Sequence, residues 1–327
     1  MSFQEEAWKI FNSPPDEFSE YLNKAWNLTR EIHGWWINFY APSILKYEAE
    51  GFQEPVKNIF QSISVTGRKC MLMCEHCKGR LLQSMHSATS PEQLIKIGEE
   101  LYNKGCRGLL ISGGSDLNGA VPLKPFVDSI SLLTKRFGMK IAAHTGLLDY
   151  QTAKALKEAG VDSALIDIIG DEETIRDIYH LNKRPRDFEK ALNNLIKAGL
   201  KVSPHIVVGL NKGRVKGEFK ALEIISKSKA ENIVIVALKP LDTRELGERT
   251  PTPIEIGRII AIARLKNPNK KILLGCARPG GLHKVKTDIL SIKAGVNGVA
   301  FPTQEAIKYA ERIGLKEKFS AYCCAYI

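Results

Sequence analysis

The chain lacks any apolar run near the roughly 18 residues that would suggest a membrane-spanning helix. Its first residues, with Glu5 and Glu6 early, also lack the basic-then-apolar profile of a secretion signal. Both absences point to a cytoplasmic protein with no membrane partner. Cysteine is scarce, at seven of 327 residues, and three of the seven are clustered. That is not the even, dispersed set of an oxidised disulfide framework. The formal net charge is +11, yet lysine and arginine are spread along the sequence, and Lys183-Arg184-Pro185-Arg186 is the densest cluster. A surface of this kind is solvated or attracts an acidic protein, and argues against a nucleic-acid partner.

What is present is a chain long enough to bury a sizeable core, with the 44% hydrophobic and 25% charged content of an ordinary globular protein. Residues 1–55 are rich in aromatics. In Pro15 to Ile32 the apolar Phe18, Tyr21, Leu22, Ala25 and Leu28 fit one face of a helix. This segment reads as a helical N-terminal extension that packs on the main domain, 56–315, with 316–327 a cysteine-containing tail. Within the main domain apolar, β-rich runs alternate with amphipathic helical stretches. Strands are expected near Gln61–Thr66, Gly108–Ser112, Lys140–His144, Ser163–Ile168, Lys201–Val208, Asn232–Leu238, Lys271–Gly275 and Gly298–Phe301. Runs such as Ile233-Val234-Ile235-Val236 suit a parallel sheet buried on both faces. Eight strand-helix units predict an α/β fold, a (βα)8 barrel of the triosephosphate-isomerase type. The active site of such a barrel lies at the C-terminal ends of the strands.

The chemistry begins after the first strand, with Cys70-Met71-Leu72-Met73-Cys74-Glu75-His76-Cys77. Three thiolates spaced Cys-x3-Cys-x2-Cys can hold three irons of a four-iron, four-sulfur cluster and leave the fourth iron open. Zinc is the alternative, with His76 or His86 as a fourth ligand. Strand two leads into Gly113-Gly114-Ser115-Asp116, whose glycines bring backbone close to a ligand or simply make a turn. Strand four ends in Asp167, a carboxylate within an apolar run that is costly to bury unpaired; Asp171 beyond it suits a helix cap. Strand five carries His205 to Leu210, including Val207 and Val208. Strand six leads to Lys239, and on to Pro240, Asp242 and Thr243. Strand seven leads to Cys276 and Arg278, placed by their position at the mouth. Cys106 precedes strand two and reads as a core thiol. Cys323 and Cys324 lie on a tail able to fold back across the mouth, where they either join Cys276 around a second iron-sulfur cluster or only anchor the tail.

This order of motifs resembles the radical S-adenosylmethionine (SAM) superfamily, and within it the biotin synthase-like branch, over about residues 55–315. The resemblance implies a radical SAM barrel in which Cys70, Cys74 and Cys77 bind a four-iron, four-sulfur cluster that cleaves SAM reductively. It further implies that SAM is bound by Gly113, Gly114, Ser115, Asp167, Val207, Val208 and Lys239, with His76 in the same pocket and Arg278 acting in catalysis. Biotin synthase itself is not implied. The places where that family holds a sacrificial cluster align here with Ile111, Ala142, Ser203 and Leu273, none of which can ligate iron. The Ile-Asp-Ile-Ile-Gly-Asp stretch and the terminal cysteine pair are most similar to the components of archaeal-type two-protein lipoyl synthases. That likeness implies sulfur insertion into a protein-bound octanoyl chain. It also implies a lipoyl carrier protein or domain, a second radical SAM subunit and a reductant such as ferredoxin as partners. Another biotin synthase-like enzyme, methylating or rearranging a cofactor precursor, or a non-catalytic iron-sulfur protein are the competing expectations.

Overall fold

The computed structural model describes residues 1–50, 52, 58–239, 241 and 249–326. The junction expected near residue 55, and Pro240, Asp242 and Thr243, lie outside the described residues. Eleven strands form one parallel sheet: β1 (Trp36–Tyr40), β2 (Phe60–Ser64), β3 (His86–Ser87), β4 (Gly108–Ser112), β5 (Lys140–His144), β6 (Ser163–Asp167), β7 (Lys201–Val208), β8 (Asn232–Ala237), β9 (Lys271–Leu274), β10 (Gly298–Ala300) and β11 (Lys316–Ser320). In space their order is β11-β1-β10-β9-β8-β7-β6-β5-β4-β2-β3. The eight predicted strands are therefore β2 and β4 to β10, neighbours in chain order, curled into a half-barrel. Among the described residues the hydrogen-bonded ladder does not close on itself. β1 and β11, which the sequence reading took for part of the helical extension and the tail, continue the sheet beyond β10.

Helices cover the outer face: α1 (Phe3–Phe11), α2 (Pro15–His33), α3 (Pro91–Asn103), α4 (Val127–Phe137), α5 (Tyr150–Glu158), α6 (Glu172–Asp177), α7 (Pro185–Lys197), α8 (Glu218–Lys227), α9 (Pro253–Lys266), α10 (Gly281–Lys293) and α11 (Gln304–Arg312). Their starts are set locally. Pro91, Pro185 and Pro253 open helices, where a missing N–H costs nothing. Asp149 and Asp171 accept hydrogen bonds from the N–H of Thr152 and Thr174, each at 2.8 Å, which confirms Asp171 as a cap. No helix among the described residues is long and apolar enough to cross a membrane.

Alternation along each strand separates two cores. On β7, Val202, Ile206 and Val208 face the helices, leaving Ser203, His205 and Val207 toward the interior. α1 and α2 pack on the helical layer through Arg258, whose guanidinium donates to the carbonyls of Ile10, Phe11 and Ser13 at 2.7–2.9 Å and stacks over Phe18. After β11 the chain does not cross the mouth. It turns into the half-barrel, where Ala321, Cys323, Cys324 and Ala325 are buried against Phe60, Ala142, Leu165, Val234 and Leu273. Tyr322 and Tyr326 meet the Phe60 ring edge-on at 6.0 and 5.9 Å. The tail thus fills the seam the open ladder leaves.

Candidate active site

The cysteine loop leaves β2 at the C-terminal end of the sheet and is wrapped tightly by backbone. The N–H groups of Cys77 and Lys78 donate to the Cys74 carbonyl at 3.1 and 2.8 Å, and Met73, Lys78 and Gly79 take positive φ values of 44°, 45° and 71°. Two outside bonds hold it in place, from Met71 N–H to the Ser115 carbonyl (3.0 Å) and from Glu75 N–H to the Ile178 carbonyl (2.9 Å). Glu75 also pairs with His180 at 3.1 Å. Cys74 is buried and Cys70 and Cys77 half-buried. Burial pushes the Cys74 and Cys77 thiols up, a cost that binding to a metal centre removes, because metal binding drives off the proton.

Gly114 explains how the loop comes to sit here. A Cβ on it would lie 2.1 Å from the Lys69 carbonyl oxygen and 2.4 Å from Cys70 Cα, so only glycine lets the β4 loop approach the cysteine loop. Its N–H donates to Thr66 Oγ1 at 2.7 Å. Ser115 contributes its carbonyl, and Asp116 closes the turn by accepting from the N–H of Asn118 and Ala120.

Beside the loop lies a ring of polar side chains from β5, β6 and β7. Asp167 Oδ1 is 3.8 Å from His144 Nε2, and Tyr179 donates to Asp167 Oδ2 at 3.4 Å. Tyr179 in turn stacks on His76, ring centroids 5.1 Å apart. Burial raises the Asp167 carboxyl, but the nearby His144 imidazole, with His205 and His76 behind it, outweighs burial and brings it down to about 2. Burial takes His205 down to about 4. On His144 the Asp167 carboxylate outweighs burial and raises the pKa. His76 is held neutral by burial, and its Nδ1 is buried without a hydrogen-bond partner. A fixed anion, a neutral imidazole with an unused nitrogen and three thiols thus converge on one end of the sheet. The donor set fits a cysteine-ligated iron-sulfur cluster with a small cofactor beside it: thiols for iron, a carboxylate for hydroxyl groups, and an orphan nitrogen awaiting a partner. Sequence reasoning missed His144 and Tyr179: the register across β5 and β6 brings His144 to Asp167, and the turn that ends α6, with the Tyr179 N–H on the Thr174 carbonyl, brings Tyr179 there.

The remaining predicted residues are dispersed. Val207 is half-buried and lines a small crevice with Ile168, Gly170 and Glu218. Val208 is fully buried in the outer core, its side chain facing the helices. Lys239 is exposed just past β8. Arg278 does not reach into the mouth. It is 2% exposed, its Nε 2.6 Å from Asp288 Oδ1, with further bonds to the Gly275 and Phe301 carbonyls. Its place is to lock the loop that carries Cys276, so it is a positioning residue. Cys276 is exposed and Cys106 buried, with the Cys106 thiol donating to the Gly108 carbonyl. In the tail the Cys323–Cys324 hydrogen bond lowers Cys323 and raises Cys324. The charge of His144 lowers Cys323 further, and that of Cys276 raises Cys324 further. These thiols therefore lie within electrostatic reach of the ring and of the β9 loop. Of the residues aligned with the sacrificial-cluster positions, Ala142 and Leu273 do line the interior, whereas Ile111 faces the helices.

Comparison with known proteins agrees with this arrangement. Residues 64–214 match the model of the radical SAM superfamily. Curated relatives include the biotin synthase of Neorickettsia sennetsu, 31% identical over 172 residues, which are 51% of each chain. The biotin synthase of Clostridioides difficile is 28% identical over 249 residues, 70% of each. The chain thus spans about half the length of the first and more of the second. Among solved structures, methylornithine synthase (PylB) superposes with a TM-score of 0.64 at 14% identity, covering 96% of this chain and 93% of that one. The FeFe-hydrogenase maturase HydG from Carboxydothermus hydrogenoformans does so with a TM-score of 0.64 at 14% identity, covering 100% and 78%. These last likenesses concern fold alone. The matched segment is thus similar to the radical SAM superfamily over residues 64–214, with biotin synthases as relatives at low identity.

Proposed function

We propose that the protein is a radical SAM enzyme of the biotin synthase-like branch that inserts sulfur into a protein-bound octanoyl chain, as one component of a lipoyl synthase. Cys70, Cys74 and Cys77 would hold a four-iron, four-sulfur cluster, which would supply the one-electron reduction that cleaves SAM. The chain's own residues do the rest. Gly114 and Thr66 fix the cysteine loop, Asp167 stands ionised to receive cofactor hydroxyls, and Tyr179 and His144 hold that carboxylate in place.

The observation that carries the sulfur reading is the tail. Interior strand positions such as Ala142 and Leu273 offer no thiol, but the tail brings Cys323 and Cys324 into contact with that same interior, within electrostatic reach of Cys276. We infer those three thiols as the candidate ligands of a second iron-sulfur cluster, which would have to draw them together, since no three His, Cys, Asp or Glu among the described residues are already grouped to hold a metal ion. The basic surface suits an acidic carrier domain and an acidic reductant such as ferredoxin. The test is incubation of the anaerobically reconstituted protein with SAM, reductant, octanoylated carrier and the partner synthase. A carrier heavier by sulfur is expected; 5′-deoxyadenosine without sulfur insertion rejects the assignment. Iron and sulfide counts test the second cluster separately. About four irons per chain, unchanged when Cys276, Cys323 and Cys324 are all alanine, leaves only the first.

A further inference from the structure

The end of the sheet opposite the cysteine loop holds a second cavity, of about 480 Å³, at the starts of β7, β8 and β9. This volume is that of a small-molecule site. Its charge is one-sided, with Lys201, Lys229 and Lys271 lining it against a single carboxylate, Glu231. Lys201 and Lys271 are the first residues of their strands, so their ammonium groups rim the opening, where Asn269 adds an amide.

The frame behind these groups is fixed. Lys270 spends its ammonium on the Ser228 and Ala230 carbonyls, at 3.0 and 2.5 Å, which ties the loop before β8 to the loop before β9. The fully buried Arg264 donates to the Pro268 and Lys270 carbonyls at 2.9 and 2.8 Å and reaches His33, another lining residue, at 3.0 Å. Lysines whose neighbours are all bonded cost little to organise around a ligand. One lining group is left unsatisfied: Asn232 is 8% exposed, its side-chain nitrogen donates to Ser203 Oγ at 3.0 Å, and its Oδ1 is buried without a partner. A buried acceptor in that state asks for a hydroxyl or N–H donor. The inner wall includes Ala325, so an occupant would rest against the tail that carries Cys323 and Cys324.

From this arrangement we infer that the basal cavity binds a small polyanion, a carboxylate- or phosphate-bearing metabolite with a hydroxyl, at a site separate from the SAM site. Several ammonium groups around a preorganised, half-enclosed cavity favour multiple negative charge. The hydroxyl meets Asn232. The inference does not depend on the sulfur chemistry proposed above.

The full-length protein, without SAM, is titrated calorimetrically with citrate and, separately, with inorganic phosphate, against sodium chloride at matched ionic strength. Saturable one-to-one binding of either probe is expected, citrate identifying the carboxylate class and phosphate the phosphorylated one. Binding should weaken about tenfold or more in Lys201→Ala/Lys271→Ala and in Lys229→Glu, all exposed positions. It should be unchanged in Lys46→Ala/Lys308→Ala, remote from the cavity. Hydrogen exchange on adding the probe should slow at 199–202, 229–232, 269–271 and 322–326. Heats indistinguishable from the chloride control, undiminished binding in both cavity variants, or protection elsewhere in the chain would each overturn the site.

Discussion

Glu218 is a buried carboxylate at the start of α8 that accepts the N–H groups of Gly209 and Lys216, each at 2.7 Å. It therefore holds the turn that follows Val207 and Val208, where Gly209 takes a φ of 77°. Burial pushes its pKa from 4.5 up to about 7, against the pull of those N–H groups. The folded chain binds this proton more tightly than the unfolded one. Its stabilising contribution is accordingly full below about pH 4.5 and is lost as pH rises through about 7. Glu218→Gln cannot ionise. Urea unfolding at pH 5 and pH 8 should show a smaller loss of stability in the variant, by on the order of 3 kcal/mol; equal losses would mean the carboxyl does not titrate in this range. Asp167 is the opposite case, held ionised by His144. Asp167→Asn keeps the shape, removes the charge, and should weaken SAM binding to the reconstituted protein about tenfold, read by equilibrium dialysis. Asp167 was legible as an odd carboxylate in an apolar run. His144 was not, because nothing local marks a histidine as its partner.

Among elements, the strands of the repeating units were readable: β4, β5 and β7 begin and end where the sequence put them, and the near-continuous apolar run of β8 was placed to within one residue. β1 was hidden in a segment whose aromatics suggested helix, although Trp36-Ile37-Asn38-Phe39-Tyr40 alternates as a half-buried strand does. The loops carry the sharper tests. Gly114→Ala forces a methyl group into Lys69 and Cys70, so the cysteine loop must shift while the sheet stays intact. Iron content after reconstitution should fall well below half that of the parent, with an unchanged far-ultraviolet circular dichroism spectrum; full occupancy would show that the loop yields freely. Arg278 and Asp288 form an ion pair whose side chains are 0% exposed. Arg278→Ala leaves that buried carboxylate only the Thr303 N–H at 2.9 Å and Lys284 at 3.9 Å, and should cost about 3 kcal/mol in denaturant unfolding. A residue acting only in catalysis would lose turnover with no such cost. Position in sequence puts Arg278 just past the end of β9, but Asp288, ten residues on, turns its side chain away from the mouth.

At the scale of the whole molecule, the sequence rhythm counted eight units but could not say whether they close. Closure is decided by edges, and here β1 and β11 extend one edge while the tail occupies the seam. Reach alone had allowed the tail to cross the mouth; what draws it inside is the apolar interior, which small residues such as Ala142 and Ala300 leave room to fill. Packing by the tail and iron binding by its cysteines are consequently separable by experiment. Removing residues 321–327 strips cover from Phe60, Leu165, Val234 and Leu273, and should lower the melting temperature by several degrees, since a loss of about 1 kcal/mol moves a domain of this size by ~2–4 °C. Cys323→Ala/Cys324→Ala deletes two sulfurs but keeps the backbone and Tyr322 and Tyr326 in place, so melting should move less than in the truncation. If the thiols serve a second cluster, this double variant loses the additional iron while keeping the iron on Cys70, Cys74 and Cys77. Calorimetry and iron analysis of the three proteins together distinguish a plug from a ligand. A double variant as unstable as the truncation, with unchanged iron, would make the cysteines packing alone and remove the sulfur assignment's main support.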